Sequence, residues 1–125
     1  MILLLDAHVL LWSLSAVEEL DSRSVRAIQD PSNDVMVSTA SIWELEIKRA
    51  NGKLRFTADL IVDAARAGFD VIPIHAADAI AAARLPAHHR DPFDRMLVAQ
   101  AARLDAVILT RDRAFAAYDI HVLTA

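Results

Sequence analysis

A chain of 125 residues with a net charge of −4 and no cysteine cannot form disulfides or thiolate metal sites, and it lacks the broad basic surface of non-specific nucleic-acid binders. It is long enough for one self-sufficient core and too short for two ordinary domains, so residues 1–125 are read as a single domain. Hydrophobic residues reach 55% with only 6% aromatics, an aliphatic excess that leaves material for a partner surface.

The chain opens MILLLDAHVL. Residues 2–5 have the apolar composition of a strand buried on both faces, and they run directly into a carboxylate, Asp6. That acid, with no Lys or Arg before it, also argues against a secretory signal. No window is apolar enough for a membrane span, and the absence of cysteine fits a reducing cytoplasm. A helix is expected over 7–14 and another over 22–30. A second strand follows at 35–38, and a helix over 41–51 stops at Asn51-Gly52. The pattern continues with a helix over 58–67, a strand at 71–74 and helices over 76–84 and 92–104. A strand at 106–109, a short helix over 113–118 and a weak strand at 121–123 complete it. Strands alternating with helices predict an α/β fold around a mostly parallel sheet. The only glycines are Gly52 and Gly68, so the first strand is not followed by a phosphate-cradling loop.

Functional sites in such sheets lie beyond the carboxyl ends of the strands. Asp6 ends the first strand, and STASIWELEIK carries Glu44 into the helix after the second. RDPFDR opens a helix with Asp91 and Asp94, and TRDRAF follows the fourth strand with Asp112. Each acid also has a purely structural explanation. Asp6 and Asp112 suit helix N-caps, Ser41 and Glu44 have capping-box spacing, and Asp91-Pro92 is a regular helix start. Two points favour a shared site. Asp94 falls on the apolar stripe of Leu97, Val98, Ala101 and Leu104, where a solvating acid has no reason to be. Clustered carboxylates also repel by about 1–4 kcal/mol per pair, so they normally hold a cation or carry shifted pKa values. Oxygen donors without cysteine point to a hard ion, Mg²⁺ or Mn²⁺, and to metal-assisted phosphodiester hydrolysis.

Together, LLLDAHVLLW, STASIWELEIKRANGKL, HHRDPFDRMLVAQA and LTRDRAF resemble the PIN-domain nucleases, and most closely the VapC-like toxins of type II toxin–antitoxin modules. The resemblance implies a three-layer α/β/α sandwich with a mostly parallel central sheet. It implies a cytoplasmic, Mg²⁺- or Mn²⁺-dependent endoribonuclease that dimerises and is neutralised by a cognate VapB-like antitoxin. The family's acids fall on Asp6, Glu44, Asp94 and Asp112. Asp91 is either an accessory metal ligand or a helix cap, and Thr110 takes the place of a site hydroxyl. The alternative is a PIN-fold module that binds RNA or a partner without cutting.

Arg95, Arg111 and Arg113 adjoin the acids and are candidates for neutralising RNA phosphates, with surface ion pairing as the other reading. Lys48, Arg49, Lys53 and Arg55 form the one dense basic stretch, either a backbone track or a solvated helix face. A second acid in that helix, Glu46, is expected to be exposed on the side away from Glu44. His8, His75, His88, His89 and His121 are scattered and read as surface or packing residues. Trp12 and Trp43, with Leu10, Leu11 and Leu14, are candidates for a groove that takes an antitoxin helix, or for plain core. Two other phosphate chemistries are excluded. A haloacid-dehalogenase-type site needs a second Asp where His8 stands, and a receiver domain needs an acidic pair after the first strand.

Overall fold

The computed structural model describes residues 1–125 and contains five parallel strands, β1 (Ile2–Leu5), β2 (Asp34–Ser38), β3 (Asp70–Ile72), β4 (Val107–Thr110) and β5 (His121–Thr124). They are ordered β3-β2-β1-β4-β5. The chain therefore steps outward from β1 through β2 to β3, then crosses to the other flank for β4 and β5. Right-handed crossovers place helices from opposite stepping directions on opposite faces of the sheet. The six helices follow that rule: α1 (Ala7–Ser15), α2 (Ser22–Gln29), α3 (Thr39–Ala50) and α4 (Leu60–Arg66) against α5 (Ala76–Arg84) and α6 (Pro92–Leu104).

The cores show the same division. Leu3, Leu5, Val35 and Val37 pack with Val9 and Leu10 of α1, Leu45 of α3 and Leu60 of α4. Leu4 and Ile108 pack on the other face with Leu97, Val98 and Ala101 of α6 and with Phe115. Thus β1 reads Leu-Leu-Leu because successive side chains enter two different cores, and all three are fully buried. Each such leucine contributes roughly 1.5–3 kcal/mol of burial. The expected sandwich is thereby found.

Several boundaries differ from the sequence reading for local reasons. Helix α3 starts at Thr39, capped by Ser38, whose hydroxyl accepts from the Ala40 N–H at 3.0 Å. Ser41 is therefore a buried residue inside the helix, and the expected Ser41–Glu44 capping box does not form. Strand β3 is only three residues long because Pro73 follows it with no N–H to donate. The 113–118 segment is a 3₁₀ turn, Arg113–Ala117, rather than an α-helix. Gly52 and Gly68 follow α3 and α4 at φ +77° and +82°, the left-handed region where a side chain would strain the chain.

An ion pair outside the acid cluster locks α5 to α6. The buried Asp78 carboxylate accepts from Arg103 Nε at 2.6 Å and Nη2 at 3.1 Å, and also from the His75 N–H at 2.9 Å. The Arg103 hydrogen bonds hold the Asp78 carboxyl below its ordinary pKa. A depressed carboxylate contributes stability above its unfolded pKa and loses it as pH falls through the folded value. Asp78→Ala is expected to lower the unfolding free energy at pH 7 by about 3 kcal/mol, with a smaller deficit in acid, below the ordinary aspartate value of 3.8. Urea denaturation at both pH values measures this, and a deficit under about 1 kcal/mol at pH 7 contradicts it.

Candidate metal centre

The strand register sets the site. Leu5 pairs with Val37 on one side and Leu109 on the other, so Asp6, Ser38 and Thr110 form the next row at the carboxyl edge. Between β1 and β4 the chain order reverses, which opens a crevice at that edge. Asp6 stands there and caps α1, with Oδ1 accepting from the Val9 N–H at 2.8 Å. Its Oδ2 accepts from the Thr110 hydroxyl, which in turn accepts from the Asp112 N–H at 3.0 Å. Thr110 is buried and links two acids more than a hundred residues apart in sequence. Asp112 caps the 3₁₀ turn through Oδ1, which accepts from the Ala114 N–H at 2.9 Å, leaving Oδ2 free to face the site.

Helices α3 and α6 supply the other acids. Their N-terminal halves meet over the edge, where Trp43 approaches Phe93 edge-on with ring centroids 5.2 Å apart. The residues that follow these two rings, Glu44 and Asp94, turn inward. Glu44 is buried and accepts from Lys48 Nζ at 2.8 Å. Asp91 is the cap of α6, its Oδ1 accepting from the N–H groups of Phe93 at 2.8 Å and Asp94 at 3.2 Å. The site thus carries the structural and the crowding features together: three of the five acids are N-caps, and they still converge.

The electrostatics reflect the crowding. Burial pushes the Asp94 carboxyl up to about 7, and the neighbouring charges of Asp91, Glu44 and Asp6 add to the rise, while His89 opposes it. Burial also raises Asp6, with Glu44 adding to it against the hydrogen bonds from Thr110 and Val9. The N-termini of α1 and α6 point here and favour negative charge. Even so, the one cation paired with these acids is Lys48, with the His89 ring beside Asp94 and Asp112. A surplus of buried and half-buried carboxylate oxygens is the donor set that a hard divalent ion requires, so these residues fit Mg²⁺ or Mn²⁺.

His89 corrects the sequence reading, which placed it among surface or packing histidines. Its Nε2 lies 2.8 Å from Asp94 Oδ2 and 3.1 Å from Asp112 Oδ2. Adjacent histidines in a Pro-containing loop carry no periodic signal, so only the folded loop reveals the contact. The other histidines agree with expectation: His8 is exposed beside Trp12, and His88 packs edge-on to Tyr118.

Of the arginines, Arg95 does not reach outward for phosphate. Its guanidinium donates to the carbonyls of Ala82, Leu85, Pro86 and His89 at 2.8–3.1 Å, and to Ala83 at 3.4 Å. Arg111 is exposed, stacks over the Trp12 ring at 4.4 Å and donates from Nε to the Ala125 carbonyl at 3.2 Å. Arg113 is exposed next to Asp112. In the basic stretch, Lys48 is held by Glu44. Arg49 is held by the half-exposed Glu46 at 2.7 Å and lies over Phe56. Trp12 packs against the first core, whereas Trp43 is 60% exposed beside the acids.

The family model described as PIN domain matches residues 3–120, nearly the whole chain. The chain belongs to the PIN-domain family. No curated protein matches it. Among solved structures, this PIN domain resembles a chain of VapBC2 from Rickettsia felis bound to a promoter DNA fragment. The TM-score is 0.70 at 12% identity, covering 99% of this chain and 98% of that one. It likewise resembles a chain of DNA-bound VapBC from Salmonella typhimurium, with TM-score 0.68, 15% identity and coverage of 99% and 98%. A chain of VapBC-5 from Mycobacterium tuberculosis matches with TM-score 0.57, 21% identity and coverage of 98% and 96%. At these identities the likeness establishes the fold. No helix of this PIN domain is long and apolar enough to cross a membrane.

Proposed function

We propose that the chain is a Mg²⁺- or Mn²⁺-dependent endoribonuclease of the VapC-like toxin type, neutralised by a cognate antitoxin. The observation that carries the reading is the convergence of Asp6, Glu44, Asp94 and Asp112 at the β1–β4 crevice, with Asp94 raised to about 7 by burial and by the charges of its acidic neighbours. Asp6 and Asp94 are assigned as the main ligands, with Glu44 and Asp112 completing the set or orienting water. When bound, a divalent ion lowers the pKa of an attacking water and offsets charge on the phosphoryl oxygens. The chain's own residues do the rest. Thr110 fixes the Asp6 carboxylate, Asp91 fixes the start of α6, and Arg111 and Arg113, both exposed beside Asp112, are assigned to the flanking phosphates of an RNA strand. The toxin–antitoxin complexes among the similar structures, together with the aliphatic excess, support a toxin that docks an antitoxin; pairing with a second copy is part of the same proposal.

Single-stranded RNA incubated with Mg²⁺ is expected to be cut, and EDTA is expected to stop the cutting. Asp6→Asn is expected to reduce the rate roughly a thousandfold, the order of several kcal/mol of lost transition-state stabilisation. The amide oxygen still caps α1, so the variant should fold. Cleavage that persists in EDTA or in the variant contradicts the metal mechanism, whereas a wild-type chain that binds RNA and never cuts it identifies the binding module.

A further inference from the structure

His89 is fixed on every side. Its backbone N–H donates to Tyr118 Oη at 2.9 Å, its carbonyl accepts from Arg95, and its ring meets Phe115 edge-on at 5.8 Å. Its Nδ1 accepts from the Asp91 N–H at 3.2 Å. A ring nitrogen that accepts is unprotonated, so the proton sits on Nε2. Nε2–H is therefore a donor aimed between Asp94 Oδ2 and Asp112 Oδ2, and these three atoms lie within 4.8 Å of one another. A protonated nitrogen cannot ligate a metal. It occupies the space between two carboxylates where a bridging cation would gain most.

We infer that His89 is a positioning residue that competes with the divalent ion for Asp94 and Asp112, and so sets the metal affinity of the site. The inference rests on the reading of the acids as a cation site. The Asp91 N–H supplies the lock: while it donates to Nδ1, the imidazole cannot turn its lone pair toward the acids. An ion using those two oxygens must displace the Nε2–H, and the Pro86–Arg90 loop must yield at its His89 contacts. His89 thereby keeps the acids satisfied when the ion is scarce, at the expense of weaker binding.

The test is calorimetric titration of Mn²⁺ into the wild type, His89→Ala, His89→Gln and Asp94→Asn, with free Mn²⁺ followed by paramagnetic resonance. His89→Ala is expected to bind Mn²⁺ at least about tenfold tighter, a size typical of changes beside metal ligands. His89→Gln, which restores an N–H donor at similar reach, is expected to stay within about threefold of wild type, and Asp94→Asn to lose binding. Unchanged or weaker binding by His89→Ala, with Asp94→Asn still inactive in binding, overturns the competition and leaves the cation site standing. A His89→Gln variant as tight as His89→Ala overturns the donor role. Absence of Mn²⁺ binding in the wild type and in His89→Ala overturns both the inference and the site beneath it.

Discussion

Asp94→Asn is expected to raise the melting temperature of the metal-free protein at pH 8 and to abolish the further rise that Mg²⁺ gives the wild type. The Asp94 carboxyl is pushed from an ordinary 3.8 up to about 7 by burial and by the charges of Asp91, Glu44 and Asp6. A group raised in the folded state contributes its stability below the unfolded value and loses it as pH climbs through the folded one. The metal-free wild type should therefore gain stability on acidification from pH 8 to pH 5. Below about pH 4, depressed carboxylates such as Asp78 begin to lose theirs. The full shift corresponds to a ceiling of roughly 4 kcal/mol, and an asparagine of the same shape recovers part of it at pH 8. A recovery of about 1–2 kcal/mol amounts to a rise of several degrees in a domain of this size. Saturating metal at about a hundred times its dissociation constant adds about 2.7 kcal/mol to the wild type alone. Scanning calorimetry at pH 5 and pH 8, with and without Mg²⁺, reads all of this. An asparagine variant less stable than wild type at pH 8 without metal contradicts the account.

The second large effect belongs to Arg95. Arg95→Ala is expected to destabilise the protein by about 3 kcal/mol and to speed amide exchange across residues 85–90. The guanidinium gathers the carbonyls of Ala82 and Leu85 at the end of α5, where helix geometry leaves carbonyls short of partners, with those of Pro86 and His89 in the loop beyond. Hydrogen bonds to a charged donor contribute about 1.5–3 kcal/mol each and do not add, so a total near 3 is conservative. Lysine has no planar fork, and Arg95→Lys is expected to recover less than half. Urea denaturation and hydrogen exchange measure the two parts. A loss below 1 kcal/mol with unchanged exchange would show that the carbonyls find water instead.

The acids were legible because their positions depend on local rules. An aspartate at the end of an apolar run, or ahead of a helix-starting proline, must lie at the strand–helix edge whatever the rest of the chain does. Asp94 is half-buried for the same reason, since three and four residues of separation put it on the helix face of Leu97 and Val98. What failed depended on distant geometry. Two serines competed to start α3, and the packing of β2 decided for Ser38 over Ser41. Arg95 sits next to an acid in sequence, which suggested phosphate, but its reach is toward the end of the preceding helix, and only the α5–α6 packing discloses that. The Asp78–Arg103 pair is equally invisible to local rules, because its members lie 25 residues apart on different helices. His89 needed the folding-back of a loop onto Asp91, a contact no periodicity encodes.

The brevity of β3 has a consequence for how copies of this protein behave when concentrated. An edge strand offers unpaired amides on which another chain can build, and both edges here are short. β3 spans three residues, from the exposed Asp70 to Ile72, with Pro73 next, and β5 spans only four. Few hydrogen bonds are on offer at either border, so sheet-to-sheet templating between molecules is poorly supported. Pro73→Val would lengthen that border and should appear as accelerated fibril growth, a hazard the native chain avoids with one missing N–H.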